Sequence, residues 1–131
     1  MTSLVMYRGD DRDFELTLTE SGVPIDLTGY SIKFTARDDI DDETPTFVLE
    51  STVAYETGFE IDIDPDQTTT GAGKLTLHIQ SADTLALTRG TTLLCDIELT
   101  DPDGHVRTAP EPSLTQSTLI KLKIRGDVTR P

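Results

Sequence analysis

With 131 residues, 24 acidic and 11 basic side chains and a formal net charge of −13, the chain has the size of one domain and disfavours nucleic acid as a partner. Its one cysteine, Cys95, excludes an internal disulfide, and its apolar runs fall short of the roughly 18 residues needed to cross a bilayer. The opening residues, MTSLVMYRGDDRD, lack a basic segment followed by an apolar one. We therefore expect a single domain over residues 1–131, no signal peptide, and synthesis in a cytoplasm.

The first strand candidates alternate or cluster apolar residues between turn residues. Leu4–Tyr7 predicts a short apolar strand at a sheet edge, which Arg8–Asp11 ends. Phe14, Leu16 and Leu18 then alternate with polar residues and predict a second strand.

The central segment, residues 22–37, shows the clearest strand pattern. Pro24 fixes its own φ angle and favours an extended conformation for the residue before it. Apolar residues then occupy every second position, which is the period of a strand with one buried face. These positions are Tyr30, Ile32, Phe34 and Ala36.

The second half continues with further strands and one helical turn. Residues 38–46 predict an exposed loop, residues 47–53 a strand whose buried face the pattern leaves open, and residues 65–73 a flexible loop. Ser81 is a candidate cap for the helical turn over residues 81–87. Asp101–Gly104 predicts a turn before a short return strand over residues 105–108. The alternating apolar positions of the remaining strands are Phe59, Ile61 and Ile63; Leu75, Leu77 and Ile79; Leu93, Cys95, Ile97 and Leu99; and Ile120, Leu122 and Ile124.

The pattern as a whole predicts an all-β fold. It contains eight or nine strand candidates separated by turns at a spacing of about ten residues, which is typical of a β-sandwich. One short helical turn joins two of the strands.

The titratable residues do not form a recognisable catalytic pattern. His78 and His105, the two histidines, fall on outward or turn positions. Cys95 falls on the core-facing side of its strand, where a thiol is an inert packing group. We expect no enzyme activity.

Two short motifs resemble binding sites without meeting the full requirement. Asp62, Asp64 and Asp66 have the spacing that opens a calcium loop, but that loop requires Gly at its sixth position and Glu at its twelfth, where this chain has Gln67 and Gly73. A weak, adventitious cation site remains an alternative there or within residues 38–43. The tripeptide Arg-Gly-Asp occurs twice, at residues 8–10 and 125–127, and consists of ordinary turn residues.

A longer string carries a resemblance to a known family. Residues 8–39, RGDDRDFELTLTESGVPIDLTGYSIKFTARDD, resemble the opening of the phage baseplate upper protein N-terminal domain family, with its Gly-Asp turn, short alternating strand and G-x-P-I-D-L-T-G segment. Further matching segments are Gly73–Leu77, Ala82–Thr84 with Leu87 and Gly90, Cys95–Thr100, Asp103–Gly104 and Asp127–Thr129.

The resemblance implies an immunoglobulin-like antiparallel β-sandwich in a tailed-phage virion, made in the bacterial host cytoplasm. Such a module docks on the tail, baseplate or capsid without catalysis, cofactor or metal. Its expected partners are other virion proteins, in a homo-oligomer or on a lattice, with no nucleic acid and no membrane. The chain departs from the family in ending at Pro131 and in lacking a compact hairpin within residues 110–117.

We place the expected interface at the N-terminal edge and the acidic loop. Its candidate residues are Leu4, Val5, Tyr7, Asp39, Asp41 and Asp42. Bases concentrate late in the chain and acids dominate residues 10–66, so oppositely charged surfaces could also pack head to tail. The alternative is intramolecular pairing between neighbouring strands.

A carbohydrate-binding or host-adhesion module is the alternative function, because sandwiches present ligand loops at their ends. The absence of Trp, and the presence of only three Tyr residues, count against it.

Overall fold

The computed structural model describes residues 2–20, 22–38, 44–55, 58–67, 70–85, 87, 90–109 and 120–125. Within them the chain forms thirteen strands and one helical turn. Nine of the strands have three or more residues, and four have two. The elements are β1 Thr2–Tyr7, β2 Arg12–Thr17, β3 Thr19–Glu20, β4 Val23–Pro24, β5 Ser31–Arg37, β6 Phe47–Glu50, β7 Ala54–Tyr55, β8 Gly58–Phe59, β9 Ile61–Ile63, β10 Lys74–Ile79, α1 Ser81–Thr84, β11 Thr92–Thr100, β12 Val106–Ala109 and β13 Ile120–Arg125.

Two sheets form the layers of the molecule. The larger has the strand order β1-β13-β11-β5-β6, with β12 also pairing with β11, and the smaller has the order β2-β10-β9. Two small hairpins, β3–β4 and β7–β8, accompany them. The predicted all-β sandwich is therefore confirmed. Among the described residues, no helix is long and apolar enough to span a membrane.

One apolar core lies between the sheets. Alternate residues of the large sheet, such as Phe34 and Ile97, are fully buried against Leu75 and Leu77 of the small sheet. Because both sheets bury their inner faces in this core, their outer faces point in opposite directions.

The strand β1 departs from the expected antiparallel arrangement. It lies at the edge of the large sheet, as predicted, but pairs with β13 in parallel, with Leu4 opposite Leu122 and Met6 opposite Ile124. Alternation shows which face of a strand is buried but not its direction, and no hairpin joins these two strands.

Two local expectations need correction, and one open question is settled. Phe59 is 47% exposed, because it belongs to the β7–β8 hairpin and not to the buried alternation that Ile61 begins. The residue before the helical turn, Gln80, is its N-cap, where Ser81 was expected. The sequence leaves open which face of β6 is buried, and the structure shows that Phe47 and Leu49 face the core.

Candidate docking surface and polar clusters

The exposed edge of the large sheet is formed by β1. Among the described residues β1 pairs with β13 alone. The Arg8 N–H donates to the Arg125 carbonyl at 2.8 Å. Because successive residues of a strand point their backbone groups to alternate sides, the N–H groups of Val5 and Tyr7 face away from β13. They offer donors to an added strand.

The side chains of this edge are partly apolar. Val5 is 38% exposed and Tyr7 is 42% exposed. They line a groove of about 540 Å³, together with Met6, Asp10, Asp11, Arg12 and Arg125. An extended peptide beside β1 would therefore meet backbone donors, apolar side chains and charges of both signs. We call this surface, Val5 and Tyr7 with the groove, the β1 edge.

The six expected interface residues differ in their exposure and in whether the structure describes them. Val5 and Tyr7 are exposed, whereas Leu4 is 7% exposed and points into the core, where it fixes the position of β1. Asp39, Asp41 and Asp42 lie outside the described residues, as does most of residues 38–43. Whether any of the six contacts a partner remains a prediction.

A basic face lies on the outer side of the large sheet next to β1. We define it as Lys121, Lys123 and Arg125 of β13 with Arg37 of β5. The register places Lys121 opposite Leu94 and Leu94 opposite Arg37, so these side chains form one row across the sheet. Arg37 pairs with Asp96 at 3.2 Å, and none of the three β13 bases forms an ion pair with a described residue. Burial raises the pKa of Asp96, which the Arg37 charge opposes.

An acidic face covers the outer side of the small sheet. We define it as Asp13 and Glu15 of β2 with Asp62 and Asp64 at β9. Glu15 and Asp62 lie on either side of Thr76, which opposes both. A shallow depression of about 220 Å³ lies here, lined by Glu15, Asp62 and Asp64 and also by Lys74.

His78 connects two of these carboxylates. Its Nδ1 lies 2.7 Å from Asp13 Oδ1 and its Nε2 lies 2.8 Å from Asp62 Oδ2. The Tyr55 ring stacks on the imidazole, with centroids 5.1 Å apart. His78 was expected on an outward position, and it is, but these neighbours leave its side chain 15% exposed.

The geometry favours a protonated imidazole. A neutral imidazole has only one N–H, so only the imidazolium donates to both carboxylates. Burial works against the charged form, but the hydrogen bonds and charges of Asp13 and Asp62 outweigh it and raise the pKa of His78. These contacts join β2, β10 and β9, and we call them the His78 clasp.

Gln67 organises the β9–β10 connection, a role that the sequence pattern does not indicate. Its side chain is buried, accepts hydrogen bonds from the N–H groups of Leu27 and Gly73, each at 2.9 Å, and donates to the carbonyls of Asp64 and Gly71. Gly73 has a φ of 73°, and a Cβ there would collide with the Leu18 carbonyl oxygen. In the sequence, Gln67 was notable only as the residue that replaces the glycine of a calcium loop.

In the candidate calcium motif, the carboxylates of Asp62 and Asp64 form hydrogen bonds within the protein. The Asp64 carboxylate accepts the Asp66 N–H at 2.8 Å, and the Asp62 carboxylate bonds to His78 and to the Phe59 N–H. In the described part of the chain, the one group with metal-ligand spacing is Asp101, Asp103 and His105 in the β11–β12 turn, whose ligand atoms lie within 4.8 Å of one another. There Asp101 Oδ1 already accepts the N–H groups of Asp103 and His105.

The remaining sequence candidates have structural roles. Cys95 is buried, as its core-facing position predicts, and burial raises the pKa of its thiol to about 12. In the first Arg-Gly-Asp motif, Gly9 is buried and its N–H donates to Thr84 Oγ1, while Arg8 donates to the Leu87 carbonyl. The last two residues of the second motif lie outside the described residues.

No protein-family model matches the chain, and no curated protein matches it. Among solved structures, it is similar to murine CRIg, with 16% sequence identity over 95% of this chain and 93% of that chain and a TM-score of 0.38. A likeness of this size supports no statement about function.

Proposed function

We propose that the protein is a non-enzymatic structural module of a tailed-phage virion, made in the host cytoplasm and docked on the tail, baseplate or capsid. The observation that carries the docking role is the β1 edge, where the N–H groups of Val5 and Tyr7 face away from the sheet beside a groove. Strand addition to such an edge is a common mode of protein recognition. The virion itself is inferred from the resemblance of residues 8–39 to the baseplate family.

The first test is quantitative mass spectrometry of purified phage particles whose genome encodes this chain. Hundreds of copies per particle would assign the module to the capsid lattice or tail tube. A small number of copies, enough to form one ring, would assign it to the neck or baseplate. Absence from intact particles would contradict the proposal.

The docking edge is tested with Val5→Pro. Proline removes the outward N–H at this position, and edge strands tolerate proline because no ladder bond is lost. The matched control is Val5→Thr, which keeps the N–H and the β-branched shape. We expect both proteins to fold and only Val5→Pro to be depleted from particles; equal incorporation would show that the edge is not used.

A second candidate, a carbohydrate-binding or host-adhesion module, is favoured by one observation. The exposed Tyr7 ring borders a groove that also contains Asp10, Asp11 and Arg12, and sugars bind by stacking on a ring while charged groups accept or donate hydrogen bonds. Binding of the wild type to a glycan array, lost in Tyr7→Ala and kept in Tyr7→Phe, would support it.

A further inference from the structure

We propose that the basic face of one copy docks on the acidic face of a second copy, so that the molecules associate head to tail. This inference rests on the proposed docking function and deepens it by naming one partner. It comes from two surfaces that lie on opposite sides of the same core.

The basic face has charges available for a partner. Lys123 and Arg125 are exposed, Lys121 is half-buried, and none of the three is in an ion pair with a described residue. Val5 and Tyr7 lie opposite Lys123 and Arg125 in the β1–β13 register. The surface therefore combines cationic heads with exposed apolar area, a composition suited to an acidic partner surface.

The acidic face keeps a net negative charge after its internal contacts are counted. Asp13, Glu15, Asp62 and Asp64 outnumber Lys74 and a protonated His78. The Asp13 and Asp62 side chains remain 64% and 44% exposed although both bond to His78. The depression beside Glu15 has the size to accept the end of a lysine or arginine side chain.

The second copy is favoured as the occupant because the chain itself supplies the complementary surface. Four of its 11 basic residues lie on the basic face, in a molecule whose net charge of −13 otherwise repels its own copies. Two different surfaces on opposite sides form a heterologous contact, which generates rings or filaments.

The test uses charge reversal and sedimentation velocity over a concentration series. The basic-face variant is Lys121→Glu with Lys123→Glu, and the acidic-face variant is Glu15→Lys, at a residue outside the His78 contacts. Lys33→Glu is the control, since it reverses a charge on the same sheet outside the basic face. Thermal unfolding checks that each variant folds. Lys123→Gln replaces a basic-face variant that does not fold, and Glu15→Gln replaces an acidic-face variant that does not.

We expect the wild type and the control to associate and each reversed variant to lose at least about tenfold in affinity. An equimolar mixture of the two variants should recover association, because each then presents the charge that the other needs. A monomeric wild type, unaffected variants, or a mixture that stays monomeric would overturn the inference. A monomeric protein that is nevertheless present in particles would overturn self-docking alone, whereas self-association of a protein absent from particles would overturn the virion role alone.

Discussion

The outer faces of the two sheets use their polar side chains in different ways. On the small sheet, His78 bonds to Asp13 and Asp62. In the adjoining connection, the Gln67 side chain bonds to five backbone groups. On the large sheet, the bases of β13 contact no described carboxylate. The same alternation of apolar and polar residues thus produces one face with internal contacts through His78 and another whose β13 bases pair with no described carboxylate.

The largest expected effect comes from removing the Gln67 side chain. Gln67→Ala leaves the buried N–H groups of Leu27 and Gly73 without their acceptor. Each unsatisfied buried group costs about 1–3 kcal/mol, so we expect the free energy of unfolding to fall by about 2–4 kcal/mol in urea titrations. The control Thr70→Ala changes an exposed residue of the same connection and should cost less than about 0.5 kcal/mol. Equal effects would mean that Gln67 does not organise the connection.

Breaking the His78 clasp should cost less, because its two carboxylates are partly exposed. We expect His78→Ala to lower the free energy of unfolding by about 1–2 kcal/mol at neutral pH, through lost charged hydrogen bonds and the lost stack with Tyr55. His105→Ala, at a side chain that is 78% exposed, is the matched control and should have little effect. A His78 variant as stable as the control would contradict the clasp.

The clasp should also make stability depend on pH. Burial lowers the folded-state pKa of His78, but the hydrogen bonds and charges of Asp13 on β2 and Asp62 on β9 outweigh it and raise this pKa. Its contribution is therefore complete below the unfolded pKa of about 6.5 and is lost as pH rises through the higher folded value. The stability difference between wild type and His78→Asn should be larger at about pH 6 than at about pH 9. A constant or inverted difference would show that the imidazole is neutral in the fold.

The smallest effect on stability is expected on the basic face. Lys123→Gln removes an exposed charge with no described partner, so unfolding should shift by less than about 0.5 kcal/mol. A loss comparable to that of His78→Ala would show that Lys123 stabilises the fold and would remove the difference between the two faces.

The alternation of apolar and polar residues along each strand made the core largely predictable from the sequence. Ile32, Phe34 and Ala36 face inward as their spacing indicates, as do the alternating residues of β10 and β11. This alternation could not give the direction of β1, because β1 and β13 come from opposite ends of the chain and no turn relates them.

Contacts between distant segments explain what the sequence missed. His78 meets Asp13 across 65 residues, and Gln67 meets Leu27 across 40. The sequence pattern predicts an outward position for His78 and a flexible loop around Gln67. Local patterns contain no information on which strands become neighbours. For the expected interface, the sequence places Leu4, Val5 and Tyr7 together, and only the structure shows that Leu4 is buried while Val5 and Tyr7 are exposed.

The most direct test of the difference between the faces is lysine acetylation read by mass spectrometry, in the monomer and in the assembled or particle-bound protein. Lys121 and Lys123 belong to the basic face, and Lys33 lies outside it on the same sheet, between Glu98 and Glu50. We predict that Lys123 and Lys33 react readily in the monomer and that assembly protects Lys121 and Lys123 while Lys33 stays reactive. Unchanged reactivity of Lys121 and Lys123 on assembly would contradict the assignment of this face to a partner.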